Sequence, residues 1–318
     1  MPLSDDTPTA FDRRLLAPRH WGSWLALGLL WLLSFLPRRL LGLLAASLAR
    51  LAPWLNRKRW HIAQTNLALC YPGLEAAQRR SLLQRHFHVL VFCLLDLGTL
   101  WLRSTRRLTL VGKIEAPAIM DQLLAEGRGL ILMTPHSPAL DHGAQLLAAR
   151  YAESHPVVTM YKPQSDPVLD WAMQRRRRRH GVELVAREQG LRPVIRAMRR
   201  ESRIFFYLPD EDHGERHSVF APFCGIPKAT LPALGRLASI SGAPVLPCLA
   251  VVDPWRGRYR VRFGAPLPDF PAGDPVADAT RMNRAIEALI APDPAQYMWV
   301  YKLFRTRPPG EADPYSKA

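Results

Sequence analysis

From about residue 106 onward, short apolar runs alternate with helix-like stretches, and this alternation constrains the fold more than any other feature of the sequence. The predicted strands are Leu108–Val111, Leu130–Thr134, Val157–Tyr161, Glu183–Val185, Ile204–Leu208, Val245–Val252 and Tyr259–Phe263. The predicted helices are Pro138–Tyr151, Asp166–His180, Gln189–Glu201, Leu231–Ser241, Pro275–Ile290 and Pro294–Phe304. This order predicts an α/β fold, a mostly parallel sheet covered by helices.

Polar residues follow three of the predicted strands at their carboxyl ends, where open sheets of this kind bind ligands. The strands that end near residues 134, 161 and 208 are followed by His136, Lys162 and the acidic segment 210–213, respectively. Because parallel strands end at the same edge of a sheet, we expect these three groups to converge on one site.

His136 and Asp141 are the candidate base and its acidic partner. Ser137 is a good N-cap and Pro138 a good first helical residue, which leaves His136 at the strand end and Asp141 in the first helical turn. A carboxylate there can accept the imidazole N–H and stabilise the imidazolium that forms on proton uptake. A histidine and an acid at this spacing occur about once by chance in such a composition. The position at a strand-to-helix junction therefore favours His136 over its nearest rival, His142.

The chain is strongly basic, with a formal charge of +16 that arginine supplies almost alone. This charge attracts polyanions: nucleic acid, an anionic membrane, a phosphorylated lipid or an acidic protein. Codon preference for arginine explains the composition equally well. No zinc finger, RNP-like strand or recognition helix is recognisable, so nucleic acid is disfavoured. Five consecutive arginines, Arg175 to Arg179, would spread around a helix and present only about two side chains to one ligand.

The N-terminal region predicts a membrane attachment. The segment Trp21–Pro37 carries no charge, and as a helix up to Leu36 it would be about 24 Å long, slightly short of a hydrocarbon core. Leu40–Ala49 is a second apolar stretch, too short to span, which would lie in the interface. An uncleaved anchor is preferred to a signal peptide or a buried core helix, and the excess of basic residues after it favours a cytoplasmic C-terminal side.

Several sequence boxes, in order along most of the chain, resemble those of one enzyme family. The segment 135–141 resembles the H-x4-[DE] box of lipid acyltransferases. The other matching boxes are NLALCYP at 66–72, YKP at 161–163 with LDW at 169–171, YLPDEDHG at 207–214 with FAPF at 220–223, QYMW at 296–299 and FRTRP at 304–308. Together they resemble the late acyltransferases of lipid A biosynthesis, the lauroyl and myristoyl transferase family.

The resemblance implies a glycerolphosphate-acyltransferase-like fold and transfer of a fatty acyl group from acyl carrier protein to a hydroxyl of a lipid A precursor. It implies His136 as general base assisted by Asp141, and no metal or cofactor, although Asp210, Asp212 and His213 alone could suit Mg²⁺. The residues expected to bind substrate are Lys162, Arg177, Arg179, Asp210 and Asp212. The sequence departs from the family at Asp141, where Glu is more usual, and at Lys162, where Arg is usual.

These observations predict four segments: a membrane anchor with an interfacial helix (1–55), a helical segment packing on the body (56–105), the α/β acyltransferase domain (106–308) and a polar tail (309–318). The expected partners are acyl carrier protein, a lipid A precursor and the anionic surface of the inner membrane, on its cytoplasmic side. A sibling enzyme acting on a lysophospholipid, an aminolipid or a phosphoinositol mannoside is one alternative. A non-enzymatic basic protein of the membrane surface, or one that binds nucleic acid, is the more distant alternative.

Overall fold

Nine strands are formed within the part of the chain that this computed structural model describes, residues 11–200 and 202–316. They are β1 Gly112–Ile114, β2 Leu130–Met133, β3 Val157–Tyr161, β4 Glu183–Ala186, β5 Ile204–Tyr207, β6 Val219–Phe223, β7 Ile226–Thr230, β8 Val245–Asp253 and β9 Arg258–Phe263. Seven strands form one sheet in the order β1-β9-β8-β2-β5-β3-β4, parallel except for the β8–β9 pair, and β6 and β7 form a separate antiparallel hairpin. The predicted mostly parallel α/β fold is confirmed.

The helices cover both faces of the sheet. They are α1 Trp21–Leu33, α2 Arg38–Arg50, α3 Ala52–Leu55, α4 Arg57–Cys70, α5 Ala76–Leu95, α6 Leu97–Leu102, α7 Thr105–Val111, α8 Ala118–Ala125, α9 Leu140–Tyr151, α10 Pro167–Arg177, α11 Arg192–Arg200, α12 Ala233–Ser241 and α13 Pro275–Ile290. Alternate residues of β2 enter different cores: Leu130 and Leu132 face one, Ile131 and Met133 the other. A strand that is buried on both faces has a continuous run of apolar residues, which is why β2 could be predicted from the sequence.

Two predicted elements were wrong. The segment Leu108–Val111 ends helix α7, because Leu108 and Val111 are buried at helical spacing while Leu110 between them is exposed. The segment Pro294–Phe304 contains only a 3₁₀ turn at 294–296 and then runs irregularly. Its backbone makes only short-range turn bonds within the segment and also bonds to the body, since the Asn66 amide donates to the carbonyls of Trp299 and Tyr301 at 2.7 Å. The β6–β7 hairpin was not predicted.

The N-terminal apolar run does not form one long helix. It forms α1, which ends at Leu33. One side of α1 packs on the body, where the Leu30 carbonyl approaches Gly98 so closely that a Cβ there would lie 1.8 Å from the oxygen. The ring of Trp24 lies 5.8 Å from that of Trp171 on α10. Within the described chain, the helical stretch Ala76–Leu102 is long and apolar enough to cross a membrane, but 56% of its apolar window is buried inside the protein.

Some parts of the predicted segments lie outside the described residues: the first ten residues of the anchor segment, Glu201 at the end of a predicted helix, and the last two residues of the tail.

Candidate active site

The pairing of β2 with β5 sets the geometry of the candidate site. These adjacent parallel strands place Met133 opposite Tyr207. Three residues beyond each partner, at the carboxyl ends of the strands, come His136 and Asp210. Equal spacing from a shared register brings the two side chains side by side. The predicted convergence of strand ends therefore occurs, and it is tightest between these two residues.

His136 is held by Asp210 through two hydrogen bonds. Its backbone N–H donates to Asp210 Oδ2 at 2.9 Å, and its Nδ1 lies 2.7 Å from Asp210 Oδ1. The imidazole is 10% exposed and the carboxylate 1%. A buried carboxylate accepts from Nδ1–H, which leaves Nε2 as the nitrogen able to take a proton. Asp210 thus occupies the place that the sequence analysis gave to Asp141.

Asp141 is bonded to Arg177, not to the imidazole. Arg177 Nη2 and Nε lie 2.6 Å and 3.1 Å from Asp141 Oδ1. The predicted N-cap was also wrong, because α9 begins at Leu140 with Ala139 before it. The residues 137–139 extend the strand-to-helix connection, so Asp141 starts the helix beside α10 while His136 stays next to β5. The predicted hydrogen bond from the imidazole to Asp141 is therefore replaced by the bond to Asp210.

Three groups that the sequence analysis did not assign lie around the imidazole. Glu211 Oε1 lies 3.5 Å from His136 Nε2, and Arg187 binds the same carboxylate at 2.8 Å and 3.2 Å. The Tyr301 ring meets the imidazole edge to face at 5.1 Å. Tyr301 is brought there by the irregular C-terminal segment, whose Met298 N–H donates to the His136 carbonyl at 3.1 Å.

The charges around His136 set its basicity. Burial lowers the pKa of His136, but the charge and hydrogen bond of Asp210, with the charge of Glu211, outweigh burial and raise that pKa above its ordinary value. Burial raises the pKa of Asp210, yet His136 and Lys228 together hold it below its ordinary value. The pair therefore combines an ionised carboxylate with an imidazole that binds a proton readily.

A cavity of about 410 Å³ opens beside His136. Its polar lining includes Asp141, Lys162, Arg177, Arg187 and Glu211, three of them cations. Its apolar lining includes Leu97, Leu140, Val157, Met160, Phe206, Leu208 and Met298. A cavity lined by both apolar side chains and a few cations can hold a hydrocarbon chain together with a polar, anionic head.

Two predicted substrate-binding residues point elsewhere. Arg179 is an exposed residue whose Nη1 donates to the Arg103 carbonyl at 3.0 Å. Asp212 accepts from the backbone N–H and the hydroxyl of Thr306, each at 2.8 Å, and so holds the C-terminal segment. Asp210 and Asp212 are thus committed to different partners. Lys162 and Arg177, two of the residues predicted to bind substrate, line the cavity. Their role in binding stays a prediction.

His142, the rival histidine, is stacked on Tyr259 at 4.0 Å between ring centroids and 1% exposed. Its Nε2 lies 3.5 Å from Asp96 Oδ2. Asp96 also accepts from Arg38 at 2.5 Å and Tyr259 at 2.6 Å. This buried cluster connects helix α2 to the body through Arg38, so the contacts of His142 indicate a structural role.

Comparison with known proteins gives one consistent result. The family model for bacterial lipid A biosynthesis acyltransferases matches residues 9–306. A lipid A biosynthesis acyltransferase of Haemophilus influenzae is 34% identical over 95% of this chain and 93% of its own length. The lipid A biosynthesis myristoyltransferase of Escherichia coli is 32% identical over 96% of this chain and 94% of its own length, and the lauroyltransferase of the same organism is 30% identical over 96% and 98%.

Proposed function

This chain belongs to the bacterial lipid A biosynthesis acyltransferase family, and from that premise we propose that it transfers a fatty acyl group from acyl carrier protein to a hydroxyl of a lipid A precursor. The observation that carries the proposal is that His136 lines the cavity, with Nδ1 fixed by Asp210 and Nε2 left to accept a proton. The apolar lining suits the acyl chain, and the cations suit the phosphates of the acceptor.

This arrangement supports the following reaction. Nε2 of His136 takes the proton of the acceptor hydroxyl as its oxygen attacks the thioester carbonyl. The C–O bond forms, the C–S bond breaks, and the departing thiolate receives the proton from His136. Asp210 keeps the imidazole in the required tautomer and stabilises the transient imidazolium. Attack by the acceptor oxygen itself requires no acyl-enzyme intermediate.

Arg177 and Lys162 are the cations proposed to bind the anionic head of the acceptor. Arg177 is oriented by Asp141, and its side chain is 24% exposed at the cavity. Lys162 is an exposed residue of the same lining. A guanidinium held by one carboxylate oxygen keeps further N–H donors for a phosphate.

Membrane attachment is proposed to be monotopic, through an apolar face of the N-terminal helices. Fourteen of the twenty exposed large hydrophobic residues of the described chain lie between residues 11 and 55. We define the apolar face as Trp21, Leu25, Leu29, Leu32, Leu40, Leu43, Trp54 and Leu55. Helix α1 has 13 residues, about 20 Å of helix, and its other side packs on the body, so it suits the interface rather than a span. With acyl carrier protein as the proposed donor, we propose that the catalytic body lies on the cytoplasmic side of the inner membrane.

Charging this apolar face is expected to weaken membrane binding. The double substitution Leu25→Glu and Leu29→Glu replaces side chains that are 74% and 58% exposed, so the fold should persist. Loss of two leucines that would insert into the membrane should lower the partition coefficient onto anionic vesicles by about tenfold or more, measured by vesicle sedimentation. The control is Leu110→Glu, a substitution at a 59% exposed leucine of α7. Equal binding by all three proteins would contradict the proposed face.

The function is tested by acyl transfer with the detergent-extracted protein. Donors are a panel of acyl carrier protein thioesters of different chain length, and acceptors are a tetra-acylated lipid A precursor carrying its inner sugars and a lysophospholipid. Membranes from cells that lack the protein give the background. We expect an ester product on the glucosamine lipid. A product on the lysophospholipid alone would reassign the acceptor, and no product from any donor and acceptor would refute the proposed activity.

A further inference from the structure

A second cavity, of about 550 Å³, lies between helices α11 and α12, outside the catalytic cavity. Its apolar lining includes Ile195 and Leu237, and four basic side chains also line it. These are Arg192, Arg236, His213 and His217, and we call the cavity that they line the basic groove. None of the described residues that line the basic groove is acidic. Arg192 and Arg236 are exposed, and neither binds a carboxylate of the described chain.

The basic groove lies at the same edge of the sheet as His136. Strands β2, β3, β4, β5 and β8 are parallel, so their carboxyl ends share one edge. Helix α11 connects β4 to β5, and helix α12 leads into β8. A helix that connects parallel strands runs back across the sheet, so it begins at the carboxyl edge. Arg192, the first residue of α11, and Arg236, in the first turn of α12, therefore lie near that edge.

Two chain segments line both cavities and bring them together. Arg187 and Glu211 line the catalytic cavity and bind each other at 2.8 Å and 3.2 Å. Two residues after Glu211, the same loop contributes His213 to the basic groove, and Arg187 is followed five residues later by Arg192. Two residues of chain span at most about 7 Å. The ion pair of Arg187 and Glu211 therefore marks the border between the two cavities.

The two cavities lie on opposite faces of the sheet. Phe206 of the catalytic cavity packs in the core that Leu132 of β2 faces, whereas Leu237 of the basic groove packs in the core that Met133 faces. Leu33, at the end of α1, packs against the core of Leu132. The basic groove thus lies on the face of the sheet that does not carry α1, the helix of the proposed membrane attachment. This face is open to a partner in solution.

The lining of the basic groove fits one kind of partner, a soluble acidic protein. An arginine that no internal carboxylate engages can bind a carboxylate of a partner through paired N–H donors. Ile195 and Leu237 can accept apolar side chains of the same partner, as in the docking of an amphipathic helix in a groove. A lipid would have to leave the membrane to reach this face, whereas the proposed acyl donor is itself a soluble protein.

We propose that the basic groove is the surface on which the acyl donor docks, with acidic side chains of acyl carrier protein bound to Arg192 and Arg236. Docking there puts the donor at the Arg187–Glu211 border, from which its acyl thioester can enter the catalytic cavity. The lipid acceptor then enters from the membrane side, so the two substrates approach from opposite faces of the sheet. The identity of the partner rests on the proposed function, whereas its charge is inferred from the groove itself.

The binding test uses the full-length, detergent-extracted protein and unacylated acyl carrier protein, so it requires no turnover. The groove variant is Arg192→Glu with Arg236→Glu. The control variant is Arg80→Glu with Arg284→Glu, at two exposed arginines of α5 and α13, which changes the net charge equally. Arg284 lines another arginine-containing cavity, of about 480 Å³, at the end of β9. We expect Kd to rise by about tenfold or more in the groove variant only, and Kd of the wild type to rise with salt.

Kinetic measurements test whether this docking serves acyl transfer. In the groove variant, KM for the carrier protein thioester should rise by about tenfold, and kcat should change less than KM does. The preference of the groove variant for this donor over an acyl pantetheine thioester, which contains no protein, should fall by the same factor. The control variant should keep the wild-type preference. Both variants should sediment with anionic vesicles as the wild type does.

The outcomes separate the docking surface from the other possibilities. All four substituted arginines are exposed, so both variants should keep the wild-type Tm, and Arg192→Gln with Arg236→Gln replaces a groove variant that does not fold. Equal carrier-protein affinity in the groove and control variants would overturn the proposal. Weaker vesicle binding by the groove variant, with its carrier-protein affinity unchanged, would also overturn it and assign the groove to lipid. Groove-dependent binding by a wild type that transfers no acyl group would uphold the docking surface and refute the proposed function.

Discussion

Replacing His136 by alanine is expected to lower kcat for acyl transfer by about 10² to 10⁴-fold, the contribution of a well-placed general base. In the proposed mechanism His136 accepts the proton of the hydroxyl. Its Nδ1 is bonded to Asp210, and the residue lines the cavity. KM for the acceptor should change little, because the cations that line the cavity remain in place. The measurement is the steady-state rate with the donor and acceptor that the wild type uses.

The control for this prediction is a histidine truncation far from the site. His155→Ala removes a ring whose hydrogen bond is made to the neighbouring Ser154, so it should leave kcat unchanged. His136→Gln, which preserves most of the side-chain volume, should be as inactive as His136→Ala. Wild-type activity in either His136 variant would show that proton transfer does not pass through this residue.

The pH dependence of the wild type follows from the same group. The folded pKa of His136 is raised, and in the proposed mechanism its neutral imidazole is the base. The rate should therefore be low below that pKa and should rise as the pH passes through it, at a pH above the ordinary value of 6.5. For stability the sign is opposite, since a raised histidine pKa stabilises the fold at low pH and that contribution disappears as pH rises.

Much of the fold could be predicted because its signals are local. Helix α13 matches the prediction Pro275–Ile290, since Asp274 caps it through the Val276 and Ala277 N–H groups and proline occupies its first turn. The parallel strands were visible as apolar runs because both of their faces are buried. The location of the site at the strand ends follows from the fold class alone.

The partner of His136 could not be predicted in the same way. Asp141 is near His136 in sequence, whereas Asp210 is near it only because the β2–β5 register matches Met133 with Tyr207. The available signal was that His136 and Asp210 lie at equal distances beyond the ends of their strands. Using it requires the register between those strands, which cannot be derived from the sequence composition. Tyr301 was missed for a related reason. The segment that carries it bonds to groups remote in sequence, among them the amide of Asn66.

The second prediction with a large expected effect concerns which acid, Asp210 or Asp141, assists His136. Asp210→Asn keeps an acceptor for the His136 N–H but removes the charge that raises the pKa of the imidazole. Neutralising a buried aspartate behind a catalytic histidine costs up to about 10⁴-fold in kcat, so we expect a loss of roughly 10² to 10⁴-fold. Burial then dominates, and the acid limb of the rate profile should move to lower pH.

Asp141→Asn is the matched variant, the same substitution at the acid that the H-x4-D spacing favours. Because Asp141 is bonded to Arg177 at the cavity, its loss should raise KM for the phosphorylated acceptor and leave the acid limb in place. Pre-steady-state rates over pH 5 to about 9 distinguish the two variants, since that range spans the titration of a histidine. If Asp141→Asn moved the acid limb and Asp210→Asn did not, the imidazole would turn to Asp141 during turnover. The bond to Asp210 would then describe only the resting site.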